Sequence, residues 1–273
     1  DLAETAITVT AGDDTPIQRV VFFRLNEGQW RVAPPAPGIF GGEAETAAPH
    51  FRVFYREQDE RFVPDIINLA EGAYVALCGE LRCAENSRPL DLRLLYDARA
   101  DAPGLAPGEV TVASPSLAGW QPGGQPGAAF NQQLVSQIAA QLALAAAPDA
   151  PAALLQVIGH WAATGLAAET SSIHDTLTRA LRAGTLLPLD RAWDAVARGD
   201  GDSALARAEL VSLLHFLQEM WGSDAAGLLL QHSAGSFDEM ARRAFSVEGE
   251  SLQDGWLAWL TGQHTPAPGR TNS

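Results

Sequence analysis

Lysine is absent from this sequence: all 18 basic residues are arginine. Without lysine there is no Schiff-base amine, no phosphate-loop lysine and no serine–lysine dyad. Pyridoxal enzymes, P-loop NTPases and penicillin-binding chemistry are thereby excluded. Basic charge is scarce altogether. Against the 18 arginines stand 33 acidic residues, giving a formal charge of -15, and such a surface repels phosphate backbones and anionic lipid headgroups. Nucleic acid is not expected as a partner. Apolar runs of about 18 residues or more are also missing, so no direct membrane insertion of this segment is expected.

Cysteine is nearly absent. Cys78 and Cys83 are the only two, and they cannot complete a four-ligand zinc site without histidines, none of which lies close in sequence. Set at the end of a helical period with Gly79 between them, they read either as a local disulfide, formed if the protein is exported, or as two unpaired thiols. The chain opens on Asp1, Leu2, Ala3 and Glu4, with neither an initiating methionine nor a basic-then-apolar leader. It reads as a mature or trimmed piece, exported or membrane-anchored through an upstream segment.

What is present is a globular composition, 47% apolar and 19% charged over 273 residues, enough for a sizeable core in one or two domains. Residues 4–10 alternate apolar and polar, and 20–23 lead through Asn26, Glu27 and Gly28 into 29–32, a hairpin-rich β unit. Pro34, Pro35, Pro37 and Gly38 followed by Gly41 and Gly42 mark a linker, so residues 1–45 are expected to be a β-hairpin segment ending an upstream domain. Residues 51–55 read as a strand, and Phe62, Ile66, Leu69, Ala73 and Leu77 as a helix with Pro64 in its first turn. Strands follow at 90–96 and 109–113, then a loop at 115–127.

From 128 onward the pattern is helical: Phe130, Leu134, Ile138 and Leu142, then Leu154, Val157, Ile158 and Trp161 after Pro148, with further helices at 174–182, 204–221, 223–231, 237–244 and 248–260. Residues 262–273 are expected to be a disordered tail. The fold class is α+β: a small mixed β-sheet with a backing helix, then an all-helical C-terminal half. The body is expected over 46–261, divided into an α/β part at 46–127 and a helical part at 128–261.

This order resembles that of the gluzincin metallopeptidases, the peptidase MA-like domains, over residues 50–261. The C-terminal text adds to the resemblance. The aromatic-rich helix 213–221 ends at the pair Trp221–Gly222 before Leu228 and Leu229. A serine-capped helix follows at 236–245, and the last helix carries Trp256 and Trp259, similar to the family's closing Trp-x-x-Tyr/Trp-Leu. Both tryptophans are expected in the core. In that family the long helix carries His-Glu-x-x-His and a second helix supplies a glutamate ligand, which together hold zinc and activate water. Here Ser136 and Ala140 stand in the two histidine positions, Gln137 in the glutamate position, and Thr164 in the carboxylate position of Trp161–Ala167. Residues 131–147 contain no His, Asp, Glu or Cys in any register. The resemblance therefore implies a module that has lost its zinc and its peptidase activity, without cofactor, binding a protein or peptide in or near the inherited cleft.

Other constellations carry less chemistry. His160 beside Trp161 is a candidate cleft residue, on which an alternative hydrolase with an acidic partner would be built, although a lone His on an apolar helix reads first as structural. His215 and Glu219, at i and i+4, read as a solvated helix face before a metal pair. His174 and Asp175 begin a helix with no nucleophile nearby. Asp59, Glu60, Asp190 and Asp194 read as solvated charge, so no catalytic carboxylate and no metal ligand is assigned. A purely structural spacer domain is the remaining alternative.

Overall fold

The computed structural model describes residues 2–9, 16–35, 39–83, 88–96, 106–166, 171–198 and 204–264. The chain is α+β. Strands β1 (Leu2–Val9), β2 (Ile17–Asn26) and β3 (Gln29–Ala33) make an antiparallel sheet in that order. The β2–β3 turn puts Glu27 and Gly28 at φ 50° and 77°, the two-residue geometry whose twist matches the flanking strands. Val20 and Phe22 point inward, and Phe22 meets Phe40 edge-on at 5.5 Å. Gln18 and Trp120 exchange both backbone hydrogen bonds at 2.7 Å, fastening this sheet to the body.

Residues 43–45, read from sequence as the end of a linker, begin strand β4 (Glu43–Ala47), which therefore crosses the 45/46 boundary. With β5 (Phe51–Arg56), β6 (Leu90–Leu95) and β7 (Glu109–Ala113) it forms a mixed sheet ordered β4-β5-β6-β7. The pair β4/β5 is antiparallel, whereas β5/β6 and β6/β7 are parallel. A 3-10 turn (Glu57–Phe62) leads into helix α1 (Val63–Leu81), which lies in the β5-to-β6 connection and buries Ile66, Ala70, Ala73, Leu77 and Leu81. Its end is closed by Arg82 in the left-handed conformation and by a Cys78–Cys83 disulfide with Cα atoms 4.8 Å apart.

A short helix α2 (Pro115–Ala118) interrupts the loop read from sequence over 115–127, capped by Ser114. Helices α3 (Ala128–Ala146) and α4 (Ala152–Leu166) follow as a packed pair. The rest is helical: α5 (Ser171–Ala183), α6 (Leu189–Arg198), α7 (Ala204–Trp221), α8 (Ala225–Gln231), α9 (Phe237–Phe245) and α10 (Gly249–His264). Helix α7 is the hub of this half, with Leu210, Val211, Leu213, Leu214, Phe216 and Leu217 buried. The expected tail begins later than 262, since α10 runs to His264; residues 265–273 lie outside the described residues. Among the described residues no helix is long and apolar enough to cross a membrane.

The two C-terminal tryptophans differ. Trp256 is fully buried and its Nε1 donates to Ser212 Oγ at 3.0 Å. Trp259 is half-buried, packs on Phe216 with ring centroids 5.8 Å apart and donates to Glu219 Oε2 at 2.7 Å.

Candidate functional site

The junction of β7, α3, α4 and α7 holds the four positions where the resemblance would put zinc chemistry, Ser136, Gln137 and Ala140 on α3 and Thr164 on α4. Helix α3 runs along β7, and its glutamines recur at i, i+4 and i+8. Gln133 Oε1 accepts from Ala113 N (3.2 Å) and Gln141 Oε1 from Gly108 N (3.0 Å), so side-chain amides satisfy backbone donors along the outer strand of the sheet. Gln137 belongs to the same stripe, with its Oε1 buried and without a hydrogen-bond partner among the described residues. An amide in that position has no basic lone pair with which to take a proton from water.

Ser136 faces α4. A Cβ added at Gly159 would lie 2.6 Å from Ser136 Oγ and 2.7 Å from Ser136 O, so the helices meet almost backbone to backbone, and a bulkier side chain at 136 would have to turn away from α4. Ala140 is buried, and an imidazole there would overpack the core. Thr164 ties α4 to α7: its hydroxyl donates to Trp161 O at 2.7 Å and meets His215 Nε2 at 2.8 Å. Because the single Thr164 proton goes to the carbonyl, His215 donates through Nε2–H. Burial lowers the His215 pKa, disfavouring the charged ring. The arrangement is a helix tie. Among the described residues no carboxylate is hydrogen-bonded to His215 to raise its basicity, and the Thr164 hydroxyl gives its proton to the Trp161 carbonyl rather than to the imidazole.

The remaining candidates are dispersed. His160 is half-buried on α4 beside the buried Trp161. Glu219 is engaged by Trp259 rather than by His215. His174 and Asp175 are exposed on α5, Asp175 at the edge of a shallow depression with Arg179 and Arg182. Asp194 forms an exposed i,i+4 pair with Arg198 (3.6 Å). His50 Nδ1 meets Glu71 Oε2 at 2.5 Å and stacks on Tyr74. Among the described residues no three His, Cys, Asp or Glu side chains are grouped to hold a metal ion. The set Ser136, Gln137, Ala140 and Thr164 does not fit zinc, which needs deprotonated or basic donors converging on one point.

Two buried carboxyls escaped the sequence reading. Asp59, read as solvated, is fully buried: it accepts from Ser114 Oγ (2.5 Å), Ser116 Oγ (2.5 Å) and Tyr96 Oη (2.7 Å). Tyr96 Oη in turn accepts from Arg56 N (2.9 Å). Burial, and then the Asp59 charge, push the Tyr96 pKa upward. This network locks the β5–α1 corner to the β7–α2 corner. Ser114 and Ser116 are buried with it, and the network acts as a latch between the two corners.

Glu209, on α7, accepts from Leu187 N at 2.8 Å through Oε1, while Oε2 is buried without a hydrogen-bond partner among the described residues. Burial pushes its carboxyl from 4.5 up to about 7. The folded protein therefore binds a proton that the unfolded chain releases between those values. The stability contributed is complete below pH 4.5 and is lost as pH rises through about 7, up to about 3 kcal/mol. Glu209→Gln is expected to remove that slope in denaturation curves taken across the range and to exceed the wild-type stability at pH 8. An unchanged slope would contradict the assignment.

Against known proteins, the chain matches no family model and no curated protein.

Proposed function

We propose that this chain is a catalytically inactive, gluzincin-like module that binds a protein or peptide outside the cytoplasm. The observation that carries the reading is that all four positions where the resemblance puts zinc chemistry hold residues without that chemistry, and two of them now serve packing. Ser136 sits against Gly159, and Thr164 bridges Trp161 and His215. The order β5, α1, β6, β7, α3, α4 supports the layout. The Cys78–Cys83 disulfide supports export, since such bonds persist in oxidising compartments.

The test is incubation of the protein with an unfolded protein substrate, with and without added zinc, followed by mass spectrometry. The substrate is expected to be recovered intact in both. Cleavage that rises with zinc and falls on His215→Ala would overturn the reading.

A further inference from the structure

We infer that the β2–β3 hairpin is the docking surface of the module, and that its partner is an extended protein segment alternating apolar and acidic residues, added as a strand along β3. The inference rests on the binding-module reading but locates the binding away from the helical junction.

Three observations converge. First, β3 is the outer strand of its sheet, its residues 29–32 are exposed, and among the described residues only β2 pairs with it, so its outer row of backbone donors and acceptors is available for pairing. Second, the register sets Leu25 opposite Trp30 and Phe23 opposite Val32, so these four share one face. Val32 is 73%, Trp30 53% and Leu25 37% exposed, whereas the other exposed large apolar residues, Val75, Leu166 and Met220, lie on separate helices. Third, Arg24 and Arg31 oppose each other directly on the other face, a repulsive cross-strand pair with no acidic partner among the described residues. With Arg19 they give the hairpin three positive charges against Glu27 alone, on a chain whose formal charge is -15.

Charge therefore decides the occupant. A second copy would bring its own large negative charge to the encounter, and β3 pairing with β3 would oppose arginine to arginine. A strand of period two presents its apolar side chains beside Trp30 and Val32 and its carboxylates beside Arg31, satisfying both faces at once.

The test uses fluorescence anisotropy with a labelled short peptide of alternating valine and glutamate, and its valine–lysine counterpart. The glutamate peptide is expected to bind at least about tenfold more tightly than the lysine peptide. Arg31→Glu places opposite charges across the hairpin and so keeps it folded, yet is expected to weaken the glutamate peptide about tenfold. Trp30→Ser should weaken it without changing the charge preference. Equal binding of both peptides, no binding of the glutamate peptide at about 1 mM, or indifference to Arg31→Glu would overturn the proposal. So would sedimentation showing a wild-type dimer that Arg31→Glu dissociates, since the strand's occupant would then be a second copy. Mass spectrometry of the recovered peptide separates the two readings: cleavage sinks the inactive-module reading, whereas intact but unbound peptide sinks only the hairpin.

Discussion

Trp256→Ala is expected to lower the unfolding free energy by about 3–5 kcal/mol, a large share of the roughly 5–15 kcal/mol typical of a folded chain. The indole is fully buried on α10 and its Nε1 donates to Ser212 Oγ, whose own proton goes to Glu209 O. Truncation removes the packed ring from between α10 and α7 and leaves a cavity that neighbouring helices can only partly close. Trp259→Ala removes a half-buried ring and one exposed hydrogen bond to Glu219, and should cost about 1–2 kcal/mol. Thermal melts of the two variants side by side test this. Equal losses, or a negligible loss at Trp256, would contradict the placement of α10.

Asp59→Ala should be comparably damaging, about 3–5 kcal/mol, because three hydroxyls that now donate to one carboxylate would be left facing an apolar void. Asp59→Asn keeps an acceptor oxygen but puts an NH2 donor against further hydroxyl donors, so partial rescue is expected. Tyr96→Phe deletes one donor and strips Arg56 N of its acceptor, for a loss of about 1–2 kcal/mol. Urea denaturation of the three variants should rank Asp59→Ala worst. A wild-type midpoint for Asp59→Ala would mean that the latch does not hold the two corners together.

The elements that were legible are those whose periodicity is strong and local. Alternation at Phe51 and Val53, at Leu90, Leu92 and Leu94, and at Val110 and Val112 marks three sheet strands with one buried face, and the stripe of α1 is complete from Ile66 to Leu81. Strand β4 was hidden because its Glu-Ala-Glu-Thr-Ala text carries little strand propensity; its place is set by pairing with β5. Helix α6 had its signal in Leu189, Ala192, Trp193 and Val196, spaced i, i+3, i+4 and i+7, but the stripe is confined to a helix of only 10 residues.

The polar interior was not legible at all. The hydroxyls that meet Asp59 lie 37, 55 and 57 residues away in sequence, so no local rule separates Asp59 from the exposed Glu60 beside it. The same holds for Thr164 and His215, which are 51 residues apart. The lack of zinc-binding side chains in residues 131–147, by contrast, can be read from sequence alone, because no register of that segment contains His, Asp, Glu or Cys.

The proposed peptidase-like frame without zinc chemistry is tested most directly by elemental analysis of protein purified without chelator. The account predicts zinc far below one equivalent per chain, unchanged by His160→Ala or His215→Ala. About one equivalent, lost on either substitution, would contradict it.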